Sequence, residues 1–263
     1  MRLVDSHAHL DFPQFDADRG TAIERAREAG LVAILNVGAD LASSRAAVAL
    51  AERYDLIYAA VGVHPHDAKT VTPAVLDQLR ALARHPKVVA IGEIGLDYYR
   101  DLSPRPVQRR AFADQLALAA ELGLPVVVHS REAHDDVLAA LRGWDGVGVL
   151  HSYSAGPERL DEVLSLGFAV GISGPVTFPN AHRLRKVAAA VPADRLLVET
   201  DCPYLTPVPH RGRRNEPAYV RYVVEAVARA RGLPPESVAE ATARNAARLF
   251  CLPVGHPTAE EGS

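Results

Sequence analysis

Cysteine is scarce in this chain, with only Cys202 and Cys251 in 263 residues. Two distant cysteines without metal-type pairing exclude a disulfide scaffold, and unpaired thiols in a reducing compartment are expected. Long apolar runs are missing too. The most apolar stretches, Leu31 to Val37 and Val88 to Ile94, fall far short of the roughly 20 residues that span a bilayer, so no membrane partner is expected. The opening segment MRLVDSHAHLDF carries an acid and two histidines where a signal peptide needs an apolar stretch. With no export signal visible, the expected location is the cytoplasm. Positive charge is not in excess, since 29 Lys and Arg against 32 Asp and Glu leave a net charge of -3. A polyanionic partner must then be held by a local patch, or by metal ions that supply the missing charge.

What is present is a globular composition. With 48% apolar and 23% charged residues, disordered and fibrous classes are excluded. At about 150 residues per domain the length allows one or two domains, and an α/β barrel uses such a length as one. Short β-branched runs alternate with Ala-, Leu- and Arg-rich amphipathic stretches, the pattern of repeated βα units with a parallel sheet. Strands are expected near Leu3 to Asp5, Val32 to Val37, Ile57 to Val63, Val88 to Gly92, Pro125 to His129, Val147 to His151, Phe168 to Ile172 and Leu196 to Glu199. Helical patterns lie around residues 21–29, 41–53, 73–84, 106–122, 133–142, 157–166, 182–190 and 216–231. Eight strands each followed by a helix fit a (β/α)8 TIM barrel better than a doubly wound open sheet. The stretch Pro235 to Phe250 reads as an additional C-terminal helix. No linker breaks the pattern, so residues 1–252 are expected to form one domain, with a flexible tail over 253–263.

In a barrel the reacting groups sit at the C-terminal ends of the strands. Here those ends read Asp5-Ser6-His7-Ala8-His9, Gly92-Glu93, His129, His151 and Glu199-Thr200-Asp201. His7 and His9, two residues apart, present both imidazoles on one face of an extended chain and can clasp one ion. Alone, an H-x-H pair is as well explained by two surface histidines. Singly, His129 or His151 reads as a core histidine, Glu93 as a salt-bridge partner and Asp201 as a turn cap. Together these residues supply six N/O ligands, too many for one tetrahedral ion with an open position but suited to two. Carboxylates and imidazoles crowded into a barrel mouth also cost several kcal/mol unless a cation or a hydrogen-bond network compensates them.

Several longer blocks carry a family resemblance: DSHAHLD at 5–11, GVHPHDA at 62–68, AIGEIGLDYY at 90–99, PVVVHSREA at 125–133, GISGPVTF at 171–178 and LLVETDCPYLTPVPHRGRRNEP at 196–217. In order and spacing, from about residue 3 to Phe250, the chain resembles the TatD family of metal-dependent deoxyribonucleases. The resemblance implies an amidohydrolase-like TIM-barrel hydrolase with two divalent metals and a nucleic acid substrate, DNA ahead of RNA. Carried over by position, His7, His9, Glu93 and Asp201 hold one ion, and Glu93, His129 and His151 the other, with Glu93 bridging. The activity this implies is a 3′-5′ exodeoxyribonuclease on single-stranded DNA. A His-rich N/O set favours Zn, Mn or Co, whereas the family's nuclease activity is associated with Mg. One departure stands at strand six, where His151-Ser152-Tyr153-Ser154-Ala155 replaces the family's His-Cys-Phe-Ser/Thr-Gly and puts substrate preference in question.

Asp201 is the expected acceptor of the attacking water's proton, with Glu93 beside it as the second catalytic group. Phosphate positioning falls to His64, in the GVHPH block, to Arg211, Arg213 and Arg214 in the loop after strand eight, and to Arg131. His64 reads equally well as a turn cap, and the arginines as a solvated face. Tyr153 adds a hydroxyl for substrate binding. His66, His85, His134, His182 and His256 are read as surface or structural, and no obligate protein partner is evident. An amide or carboxyl-ester hydrolase on the same barrel, including one acting on charged tRNA, is the alternative. Many such enzymes bridge their metals with a carboxylated lysine on strand four. The only lysines here are Lys69, Lys87 and Lys186, none at a strand end. A non-catalytic binding protein would have damaged ligands, and all six positions are intact.

Overall fold

Residues 1–253 are described in the computed structural model of the protein; the rest of the expected tail, with His256, lies outside the described residues. The β-branched runs form eight strands: β1 (Leu3–Ala8), β2 (Leu31–Val37), β3 (Ile57–Val61), β4 (Val88–Asp97), β5 (Val126–Arg131), β6 (Gly148–Leu150), β7 (Ala169–Ile172) and β8 (Leu196–Val198). They pair in parallel in sequence order. A parallel bridge from Ala8 to Cys202 joins the two ends. At the same seam Asp201 N donates to the His7 carbonyl (2.9 Å) and His9 N to the Cys202 carbonyl (2.8 Å). The fold is therefore a (β/α)8 TIM barrel, and its closure aligns the two ligand segments at the ends of the chain.

Both faces of each strand are covered, which is why β2 reads as the nearly unbroken apolar run LVAILNV. Inward-facing Val4, Leu35, Val127, Val149 and Leu197 form the barrel interior. A second, larger cluster, including Phe112, Leu116, Phe168 and Val223, fills the layer beneath the helices. Those helices are α1 (Arg19–Glu28), α2 (Leu41–Arg53), α3 (Pro73–Leu82), α4 (Arg105–Leu122), α5 (His134–Arg142), α6 (Leu160–Ser165), α7 (His182–Ala190) and α8 (Val220–Arg231). Their starts carry the expected chemistry where a cap is available: Asp40 and Ser43 form a capping box on α2, and Thr72 caps α3.

The additional helix α9 (Pro235–Phe250) is present. Its Ala243, Ala246 and Phe250 join the interior cluster. Asn245 Nδ2 donates to the carbonyls of Ala193 (2.7 Å) and Leu196 (2.9 Å), at the start of β8. Position and packing place α9 over the N-terminal end of the barrel, so the opposite end is the one that can admit a substrate.

Element boundaries differ where polar residues interrupt the apolar pattern. β1 runs on to Ala8, β4 to Asp97 and β5 to Arg131, so His7, Glu93 and His129 lie within strands. Gly95 makes the long β4 possible. Its φ is +138°, and a Cβ there would come within 2.1 Å of the His129 carbonyl oxygen, an approach only glycine allows. The expected helices at 157–166 and 216–231 each begin as a separate 3-10 turn, Pro157–Arg159 and Pro217–Tyr219, because proline suits a first turn and cannot continue the helical ladder.

Candidate metal centre

The barrel brings six ligand-type side chains from five strand ends into one buried cluster. His7 and His9, on one face of β1 and just beyond it, place their Nε2 atoms 3.1 Å apart. Asp201 Oδ1 faces both, 3.7 Å from His7 Nε2 and 3.5 Å from His9 Nε2. Glu93 divides its two oxygens. Oε1 lies 2.9 Å from His129 Nδ1 and 2.8 Å from His151 Nε2. Oε2 lies 3.4 Å from His7 Nε2 and 3.7 Å from His9 Nε2. His129 Nδ1 and His151 Nε2 are themselves 3.2 Å apart.

Outside partners set which nitrogen of two rings faces inward. His9 Nδ1 donates to the Val37 carbonyl at 2.8 Å, so its Nε2 carries a lone pair into the cluster. His129 Nε2 donates to Asp97 Oδ2 at 3.2 Å, which leaves Nδ1 as the inward lone pair. Lone pairs at 2.9–3.7 Å from carboxylate oxygens in a buried site repel unless a proton or cation lies between them. Three triads of donor atoms meet the distances for a shared cation: His7, His9 and Asp201; His7, Glu93 and His151; His64, Glu93 and His129. Borderline imidazole nitrogen with hard carboxylate oxygen is a donor set that divalent ions accept, so the residues fit a metal.

Protons on the imidazoles can take the place of a cation there: burial opposes this, but Asp201 and Glu93 raise the His9 pKa to about 9, Asp97 and Glu93 raise that of His129, and Glu93 and Glu199 raise that of His151. Burial by itself would raise the Glu93 pKa, but the imidazoles of His151, His64 and His7 and the hydrogen bond to His129 outweigh it and hold the carboxyl well below the usual range. Asp201 is likewise lowered: burial opposes ionisation, and His9, His7 and His151 overcome it. Asp201 also sits at a φ of +56°, a left-handed conformation that costs a non-glycine residue energy and recurs at functional sites.

His64 differs from the six. Its Nδ1 accepts the His66 backbone N–H at 3.1 Å, so in the neutral ring the proton sits on Nε2, 3.5 Å from Glu93 Oε1. Burial draws its pKa down to about 4, so the ring is neutral at pH 7 and turns an N–H toward Glu93.

The remaining expected substrate groups divide. Arg131 is exposed over the Tyr99 ring at 3.9 Å, Arg211 is exposed over Phe178 at 3.8 Å, and Arg213 is exposed. Tyr153 requires a correction. It is buried and its hydroxyl donates to the Gly156 carbonyl at 2.9 Å, so it braces the β6 loop and does not face substrate. The cause is local: Ser152 turns the chain at φ +43°, and Tyr153 N pairs with the Gly171 carbonyl at 3.0 Å, which draws the ring inward. Arg214 is also committed elsewhere, reaching Asp18 Oδ1 at 2.5 Å and Oδ2 at 2.9 Å.

Two acids outside the ligand set hold its histidines. Glu199 is fully buried, accepts the Ser152 N–H at 2.5 Å and the Ser6 hydroxyl at 3.2 Å, and lies 3.6 Å from His151 Nδ1. Gly171 leaves room for it, since a Cβ there would lie 2.4 Å from Glu199 Oε2. Asp97 was not singled out from the sequence. It accepts from His129 and, at 2.9 Å, from His66 Nε2, with backbone N–H groups of Tyr99 and Arg100 on its other oxygen. Its signal was present: four residues after Glu93 on an extended segment, it returns to the same face. His66 thereby joins the hydrogen-bond network around the site.

Asp97→Asn should weaken divalent-ion affinity about 10- to 100-fold, the usual cost of losing a carboxylate that orients a ligating histidine. Metal titration followed by calorimetry checks it, and unchanged affinity would release His129 from dependence on Asp97.

Comparison with known proteins points one way. A family model described as TatD related DNase matches residues 4–251. A Bacillus subtilis protein named uncharacterized metal-dependent hydrolase YabD is 45% identical over 94% of this chain and 98% of its own. A Klebsiella pneumoniae protein named 3'-5' ssDNA/RNA exonuclease TatD is 41% identical over 96% of this chain and 99% of its own. The crystal structure of YJJV, a TatD homolog from Escherichia coli, superposes with a TM-score of 0.90 at 34% identity, covering 95% of this chain and 98% of that one.

Proposed function

The chain belongs to the family of TatD-related DNases, and from that premise we propose that this metal-dependent hydrolase is a 3′-5′ exonuclease of single-stranded nucleic acid, DNA ahead of RNA. The observation that carries the reading is the division of Glu93. One oxygen faces His129 and His151, the other His7 and His9, the arrangement of a carboxylate shared between two cations. His7, His9, Glu93 and Asp201 would hold one ion and Glu93, His129 and His151 the other. Two divalent ions, Mg, Mn or Zn, would supply there an activated water and neutralisation of phosphate oxygens.

The chain's own groups complete the chemistry. Asp201, ionised and at the rim of the cluster, accepts the proton of the attacking water and can return it to the leaving oxygen. His64 donates its Nε2–H to a non-bridging phosphate oxygen, a role that suits a neutral ring. Arg211 and Arg213 in the loop after β8, and Arg131 at the end of β5, pair with flanking phosphates. No described helix is long and apolar enough to cross a membrane. We take residues 1–252 as one catalytic domain working in the cytoplasm, where Cys202 and Cys251 stay reduced.

The test is a matrix of cations against substrates on protein first stripped by chelator. Mg, Mn and Zn are each added to 5′-labelled single-stranded DNA, the same sequence as RNA, duplex DNA, and an aminoacyl ester of tRNA. Single-stranded DNA should shorten from its 3′ end only with added cation. Hydrolysis of the aminoacyl ester with no shortening of any nucleic acid would reassign the enzyme to carboxyl-ester chemistry.

A further inference from the structure

We propose that Tyr204, backed by Phe12, is a stacking platform for a nucleobase next to the scissile phosphodiester, and that this platform makes the enzyme selective for single strands. The proposal rests on the nuclease reading and adds to it a site for the base. Tyr204 leaves half of its surface in solvent, unusual for a ring whose backbone is tightly held. Its N–H donates to the Asp201 carbonyl at 2.9 Å. Its own carbonyl accepts from Asn215 Nδ2 at 2.6 Å, and the same amide bonds the Thr200 carbonyl at 2.9 Å. Asn215 is fully buried. An exposed aromatic ring is thus fixed three residues from a proposed metal ligand.

The ring is also connected to the centre through other rings. Tyr204 meets Phe12 at a centroid distance of 6.2 Å and 74°, and Phe12 stacks on His9 at 4.6 Å and 16°. His9 faces Asp201 and Glu93, so Tyr204, Phe12 and a ligating imidazole form one aromatic step from solvent to the reacting centre. The loop that carries Tyr204 also carries the exposed Arg211 and Arg213, and Thr206 ties the Arg213 backbone back toward Tyr204 through a 2.6 Å bond to its carbonyl, so cationic side chains share the segment that holds the ring.

A planar face beside cationic side chains is the combination by which proteins hold single strands without reading sequence, since every base offers a π-face. Bases inside a duplex have both faces covered by neighbours and cannot use it without unstacking. With a net charge of -3, the field of the whole chain does not draw in a polyanion, and stacking supplies affinity that net charge does not.

The experiment uses the metal-loaded enzyme with two substrates of equal length: an oligothymidylate, and the same oligomer with base-free residues at its last two 3′ positions. Wild type should favour the base-bearing oligomer by about fivefold to a hundredfold in KM, the span expected for stacking one base. Tyr204→Ala should abolish that preference, and Tyr204→Phe should keep most of it. A readout independent of turnover comes from Tyr204→Trp, whose added emission should be quenched by the oligothymidylate and not by the base-free oligomer; Trp144 is the only tryptophan otherwise present. A wild-type enzyme indifferent to the missing bases, or a Tyr204→Ala enzyme that keeps the wild-type preference, overturns the platform while leaving nuclease activity intact. Failure of wild type to cleave either oligomer with any cation removes the nuclease reading, and the platform with it.

Discussion

Glu93→Gln should lower kcat by at least about 10⁴-fold and leave less than one tightly held divalent ion per chain. The carboxylate serves both halves of the cluster, with Oε1 against His129 and His151 and Oε2 against His7 and His9. An amide keeps one ligating oxygen and turns an N–H₂ donor toward the other half, removing a negative charge and a ligand together. Without cations the attacking water would lose the acidification that they would supply, which sets the size of the loss. The fold should survive, because barrel stability resides in the packed interior and the helix layer. Metal content by mass spectrometry, single-turnover hydrolysis and a melting curve together decide the matter. Full metal loading in a slow variant would leave Glu93 a catalytic role and remove it as the bridge.

Asp201→Asn should behave differently, retaining much of the metal while losing about 10²- to 10⁴-fold in kcat, the usual contribution of a positioned proton acceptor. Asparagine keeps the size of the side chain and one oxygen able to ligate a cation, but it cannot take a proton. The native carboxyl is held below its ordinary pKa against the effect of burial by His9, His7 and His151, so it is ionised and ready to accept at neutral pH. Glu199→Gln is the internal control. That acid lies behind His151 and not in the cluster, and its loss should cost only about 10- to 100-fold. Near-native turnover in Asp201→Asn with both ions bound would pass the proton-accepting role to another group, with Glu93 the next to test.

The barrel was legible because its signal is repeated. Eight apolar runs buried on both faces, each followed by an amphipathic stretch, leave few topologies open, and the candidate metal ligands were legible because a barrel places chemistry at its strand ends. The polar ends of the same strands blurred their boundaries. β4 continues through Glu93 to Asp97, where carboxylates and glycines replace the alternation a strand normally shows, and Asp97 was passed over for that reason. Tyr153 failed in the opposite sense. Its hydroxyl looked available beside His151 in sequence, and only the turn at Ser152 and the pairing with Gly171 carry the ring under the loop.

Residue types, their order and their periodicity by themselves determined the fold class, the extra C-terminal helix and which polar groups, His7, His9, Glu93, His129, His151 and Asp201, gather at the barrel mouth, because each depends on chain-local pattern and on a rule of where barrels put polar groups. Only the tertiary structure decided how those groups share their partners. The split of Glu93 between two nests of imidazole, the Val37 carbonyl and the Asp97 carboxylate that set the inward nitrogens of His9 and His129, and the exposure of Tyr204 beside a buried Tyr153 all depend on distances between residues far apart in sequence. Those distances arise when the seam between β1 and β8 closes and brings Asp201 against His7; spacing along the chain carries no record of them.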